Sequence, residues 1–287
     1  MSIPDKFHHT LKKLIEQQGI QSQAELESLL NSLVGKPLPE LAKEDLTTPE
    51  QARELVWEAQ VSIIDKGRRL AKKALKLDPD CIEAYEYLGE SYQYYYKRQA
   101  YFEKGIEIGR RIFGGDFLKA NKGHFWHITE TRPFMRSLNS LAECYYAPGR
   151  TGKAIEIWKE LLELNPGDNQ GVRYCLLSAL LEVKDLETYH IYHKKYKESS
   201  AMTLYPQALY TYLRKGDVAE SRTRLRAAVK ANPHVPPLLF ATYPPQEYPY
   251  SYMMGSKEEA IIYLHYGWRS WIWAEGAVEW LKRNWMG

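Results

Sequence analysis

The sequence predicts an all-α fold, a right-handed solenoid of stacked helical hairpins, on three observations. Apolar residues recur at helical spacing along most of the 287 residues, while no run alternates apolar and polar residues between turn signals as a strand would. A helix-turn-helix pattern returns with a period close to the 34 residues of a known repeat template. Two independent markers keep the same count, because Leu138 and Tyr205 are 67 positions apart and so are the helix-ending prolines Pro166 and Pro233.

Residues 1–46 read as an N-terminal helical appendage. Ser22 and Glu25 form a capping box there, ahead of Leu26, Leu29, Leu30 and Leu33. The repeat region follows at 47–233. Thr48-Pro49-Glu50 supplies an N-cap with proline in the first turn, and residues 51–77 form a divergent first hairpin. Tyr85, Leu88, Gly89 and Tyr92 open the second copy. The clearest copy runs from Arg132 to Pro166, with Leu138, Leu141, Ala142 and Tyr145 in its first helix and Ala154 and Trp158 in its second. Small residues at 142 and 154 let two antiparallel helices approach, and the large rings fill the space between them. Val172, Cys175, Leu176 and Ala179 mark a degenerate copy, and Tyr205, Ala208, Leu209 and Tyr212 the next. Tyr85 and Leu138 are separated by one period plus 19 residues, which places an insertion at 114–132, opening on the helix-stopping pair Gly114-Gly115. Residues 234–287 hold a Pro/Tyr-rich stretch, expected to run extended, then two C-terminal capping helices from Ser256, where Glu259 completes another capping box. Ala260, Ile261, Leu264, Trp268, Trp271, Val278 and Leu281 form their apolar faces.

Composition narrows function. A hydrophobic share of 44% supports a continuous core, and 39 basic against 36 acidic side chains leave +3, too little to imply a nucleic-acid partner. Cys81, Cys144 and Cys175 lack the paired spacing of a zinc or redox motif and read as reduced core thiols. No stretch approaches the length of a membrane span, and the first ten residues do not read as a secretory signal, so a cytoplasmic location is expected.

The copies described above resemble the tetratricopeptide repeat (TPR). GHFW with ETRP (Gly123 to Trp126, Glu130 to Pro133) and NPGDNQGVRY (Asn165 to Tyr174) are further similar to soluble relatives of the suppressor-of-tumorigenicity-7 family, a likeness covering roughly residues 47–285. That resemblance implies a repeat scaffold without an established enzyme activity. Animal members are described as membrane proteins, whereas this chain has no spanning segment. In such repeats the first helices line a concave wall, which assigns Glu86, Glu90, Arg136, Asn139, Glu143, Tyr146, Gln170, Arg173 and Tyr210 to a peptide-binding groove. Arg136, Asn139, Gln170 and Arg173 would suit a carboxylate-bearing peptide, since guanidinium forks match carboxylates and amides bond an extended backbone. Glu86 and Glu90 stand where the chaperone-tail carboxylate clamp needs lysine and asparagine.

Catalytic readings are weaker. His124, His127 and Glu130 offer two imidazoles and a carboxylate at helical spacing, a metal alternative that lacks a third firm ligand or an H-E-x-x-H order. Gly149-Arg150-Thr151-Gly152-Lys153 is followed by Ala154 where a phosphate loop needs Ser or Thr, so it reads as an interhelical turn. Lys66, Arg68, Arg69, Lys72, Lys73 and Lys76 form a basic run whose ordinary use is a solvated face. The sequence therefore points to a non-catalytic scaffold for a protein or peptide partner, with no cofactor and no nucleic acid. Self-assembly through residues 243–285 is the remaining alternative.

Overall fold

The computed structural model describes residues 3–37 and 39–285, and every regular element among them is a helix. The chain divides into two compact units, Met1–Cys144 and Tyr145–Gly287. Among the described residues no helix is long and apolar enough to cross a membrane.

The first unit opens with α1 (Ile3–Gln18) and α2 (Gln23–Leu33). The Ser22 hydroxyl accepts from the Glu25 amide while the Glu25 carboxylate accepts from the Ser22 amide, so the capping box forms in both directions. Then come α3 (Thr48–Gln60) and α4 (Ile64–Leu77), an antiparallel hairpin, followed by α5 (Ile82–Ser91) and α6 (Tyr95–Ile112), a second. The N-cap of α3 is Thr47, one residue before the expected Thr48, because the Glu50 carboxylate reaches back to the Thr47 amide at 2.7 Å. Ala52, Val56, Ala71, Ala74, Cys81, Ala84 and Leu88 knit α3, α4 and α5 into one core. Small residues at these crossings let the helix axes close up while Leu55, Leu75, Tyr87 and Tyr101 seal the margins.

The 114–132 insertion forms α7 (Gly115–Asn121) and two single 3-10 turns, Phe125–His127 and Thr129–Thr131. Phe125 is fully buried with Phe113, Phe117 and Phe134 around it. Arg132 Nε donates to the Trp126 carbonyl at 2.9 Å and lies over the Trp126 ring. The insertion is thus anchored through Phe125 and Thr131, while α7 buries none of its own residues. The next helix, α8 (Arg132–Tyr146), carries the division between units in its last turn.

The second unit contains α9 (Thr151–Leu164), α10 (Val172–Glu182), α11 (Leu186–Lys195), α12 (Ala201–Lys215) and α13 (Ala219–Ala231). The pairs α10 with α11 and α12 with α13 each pack side by side. The Pro/Tyr-rich stretch is not wholly extended, because Val235–Leu239 closes a short helix, α14, with Pro236 and Pro237 near its start. Proline is tolerated in a first turn, where no intrahelical amide donor is needed. Val235, Pro236 and Leu239 are buried, which supplies the drive. The chain then resumes as α15 (Lys257–Ile272) and α16 (Ala277–Trp285). α15 lies along α10 and α12, and α16 lies against α13. Trp271, Trp280 and Tyr263 are fully buried there, so much of the C-terminal aromatic content serves the core.

Candidate peptide-binding cleft

The groove residues expected from the sequence fall into both units, Glu86, Glu90, Arg136, Asn139 and Glu143 in the first and Tyr146, Gln170, Arg173 and Tyr210 in the second. In the first unit α5 places Glu83, Glu86 and Glu90 along one side. Glu86 is buried, and Arg136 from α8 grips it with two bonds, Nε to Oε1 at 2.5 Å and Nη2 to Oε2 at 2.9 Å. The third arm of Arg136 donates to Asp5 of α1 at 2.7 Å, and Arg132 holds the other oxygen of Asp5 at 2.8 Å. The guanidinium fork assigned to a ligand carboxylate is therefore occupied by two carboxylates of the unit itself. Burial pushes the Glu86 carboxyl up to about 7 against the opposing pull of Arg136. Asn139 and Glu143, one turn apart on α8, are half-buried and bonded to each other at 3.3 Å.

Glu90 sits differently. It is exposed at the wall of a cleft of about 1270 Å³, although the protein crowding its mouth still raises its pKa by desolvation. α1 contributes Lys6 and Thr10 to this cleft, and the segment before α3 contributes Glu40, Leu41, Lys43 and Leu46. The far side comes from Leu55, Val61, Leu70, Lys73, Leu77 and Tyr87, with Glu86 and Glu90 on the α5 wall. Apolar side chains alternate with acidic and basic ones around it. Lys6 is already paired with Glu54 at 3.1 Å, leaving the α5 wall acidic.

In the second unit the remaining groove residues have local partners. Tyr146 is buried, and its hydroxyl donates to the Tyr266 carbonyl at 2.8 Å. Arg269 of α15 stacks over its ring, donates to the Tyr146 carbonyl at 2.6 Å and bonds Glu182 at 2.6 Å. Arg173 Nη1 donates to Asp168 at 2.7 Å, and Nη2 donates to Glu198 at 3.0 Å and to the Tyr174 hydroxyl at 2.5 Å. Asp168 adopts a left-handed φ of 50° and also accepts the Val172 amide at 2.8 Å, so NPGDNQGVRY builds the turn into α10. Gln170 is half-buried in that turn. Tyr210 stacks on Tyr189, centroids 4.7 Å apart, and its hydroxyl accepts from Arg214 at 2.9 Å.

Three residues that organise these networks, Asp5, Glu182 and Arg269, are missing from the sequence-based assignment. Glu182 and Arg269 left a signal, since each is a lone charge on an otherwise apolar stretch, CLLSALLE and YGWRSW. Asp5 left none, because its partners lie 127 and 131 positions away.

The insertion does not assemble the histidine arrangement expected from one helical face. His124 precedes the first 3-10 turn and His127 ends it, with ring centroids 6.3 Å apart, and Glu130 turns to Lys12 at 3.7 Å. Among the described residues no three His, Cys, Asp or Glu side chains are grouped as a metal site would require. No protein-family model matches the chain, and no curated protein matches it either.

Proposed function

We propose that this chain is a non-catalytic scaffold, built from tetratricopeptide-type hairpins, that holds a segment of another protein in the cleft of its first unit. The observation that carries the reading is the cleft itself. Its volume of about 1270 Å³ exceeds what a small metabolite needs and suits a short helix or extended peptide. The hairpin pairs α3 with α4, α5 with α6, α10 with α11 and α12 with α13 support the repeat reading, as does the resemblance of the Arg132 to Pro166 copy to the repeat template.

The wall chemistry narrows the ligand. Leu41, Leu46, Leu55 and Leu70 offer apolar contact, while Glu90 offers an exposed carboxylate. A peptide with apolar residues at helical spacing and a lysine or arginine beside them fits, whereas the acidic peptide suggested by Arg136 and Arg173 finds both guanidinium groups engaged. Peptide display on the immobilised full chain, counter-screened against Glu90→Arg, tests this. Enrichment of apolar, basic peptides that bind the variant about tenfold more weakly or worse is expected, in line with reversal of one close charge pair. Failure to enrich any peptide, or equal retention on the variant, removes the cleft from consideration.

A further inference from the structure

At one edge of the first unit the turn from α3 to α4 lies beside the turn from α5 to α6. Arg68 joins them, with Nε donating to the Ser91 hydroxyl at 3.1 Å, Nη2 to the Ser91 carbonyl, and the guanidinium carbon 4.3 Å from the centre of the Tyr92 ring. Both turns are apolar. Val61, Ile63 and Ile64 are 79%, 78% and 52% exposed, and Tyr94, Tyr95 and Tyr96 are 64%, 52% and 67% exposed. Turns of this length ordinarily carry Gly, Asn, Asp or Ser, and single exposed apolar residues need no explanation. Six on one edge do.

A cationic face accompanies them. Arg69, Lys72, Lys73 and Lys76 follow the i, i+3, i+4, i+7 spacing of one helical side, and all four are exposed. Among the described residues Arg69, Lys72 and Lys76 make no ion pair. Lys97 stands at the aromatic turn, 5.1 Å from the Tyr92 ring centre and 5.9 Å from that of Tyr94.

We propose that this edge docks the protein on the surface of an anionic lipid bilayer. The aliphatic tip and the tyrosines enter the headgroup layer, and the cations nearest that tip, Lys97, Arg69 and Lys72, face the acidic headgroups. Aliphatic side chains gain by leaving water, tyrosine rings suit a boundary that is apolar on one side and wet on the other, and clustered Lys and Arg are drawn to acidic lipid. Single-stranded nucleic acid shares the taste for cations and aromatic rings, but it stacks on flat rings and gains nothing from three exposed branched aliphatics. This surface is separate from the peptide reading provided the test avoids Val61 and Lys73, which also border the cleft.

Co-sedimentation of the full chain with phosphatidylcholine vesicles, with and without phosphatidylserine, decides the matter. Binding is expected only with phosphatidylserine, and it should fall as salt rises. Arg69→Glu with Lys72→Glu should weaken it on the order of 30-fold or more. Ile63→Glu with Tyr95→Glu should weaken it comparably. Because the four altered side chains are exposed, an unchanged thermal melt is the control for folding. No sedimentation with acidic vesicles overturns the proposal, as does sedimentation indifferent to both double variants. Capture of a single-stranded oligonucleotide, lost in the Arg69 and Lys72 variant while vesicles go unbound, would overturn it in favour of nucleic acid.

Discussion

Arg136 shows how a residue can have the right chemistry for a ligand and still spend it internally. It lies between two carboxylates, Glu86 and Asp5, and all three side chains are largely withdrawn from water. Truncating one member of such a network leaves buried charge without a partner, so Arg136→Ala should cost about 3–5 kcal/mol in a urea titration. A cost below about 1 kcal/mol would mean that the network is solvated and adds little. Glu50 makes a second residue-scale prediction. Burial would raise its carboxyl, but hydrogen bonds from Lys13 and from the backbone and side chain of Thr47 outweigh that and hold it down to about 2. A folded-state pKa below the ordinary 4.5 gives stability that is present above 4.5 and is lost as pH falls towards 2. Glu86, raised to about 7, has the opposite sign and costs stability as pH climbs from 4.5 to 7. Urea midpoints from pH 5 down to pH 2 should therefore fall less steeply in Glu50→Gln than in the wild type, while Glu86→Gln should flatten only the range above. Both windows follow from the same two pKa values.

Single side chains also fix where helices meet. Glu259 is almost wholly buried and holds three elements, accepting the Ala201 amide at the start of α12 at 3.0 Å and the Asn232 amide side chain after α13 at 2.9 Å while standing in the first turn of α15. Its sequence signature was that of a capping box, and half of that box forms, since the Ser256 hydroxyl accepts the Glu259 amide at 3.2 Å. The carboxylate leaves Ser256 for Gly255, Ala201 and Asn232, where it also neutralises the positive end of α12. Glu259→Ala should therefore cost more than a lost cap, about 2–4 kcal/mol against about 1 for Ser256→Ala, measured by thermal or urea unfolding. At the meeting of α6 and α8, a Cβ added to Gly109 would lie 2.2 Å from the buried ring of Phe134. Gly109→Ala gains helix propensity of about 1 kcal/mol and loses about 1–3 kcal/mol to overpacking, so net destabilisation is expected. A stabilised variant would show that the ring can swing aside.

Across the whole molecule the core is continuous enough within each unit to hide all three thiols. Cys81, Cys144 and Cys175 are free and buried, and burial raises the first two thiols well away from the reactive thiolate. The native protein should react slowly with a thiol reagent and release three equivalents only on unfolding, whereas fast reaction of any one would locate an opening in the core. The helical class and several boundaries were legible in the sequence because periodicity, proline and capping signals act over a few residues: Ser22 with Glu25, Pro166 and Pro233 each start or stop a helix where the pattern places them. The candidate site was less legible. The spacing assigned Glu86 and Arg136 to one concave wall, but nothing local told that they would bond each other, that Asp5 would arrive from α1 to join them, or that Glu90 would stay exposed at the cleft. Sequence by itself determined the helical class and the alternation of small and large residues that lets hairpins close. Only tertiary structure decided which charges are spent inside the protein and which remain at a surface, because an ion pair is settled by partners many positions away, competing for the same guanidinium or carboxylate at hydrogen-bonding distance.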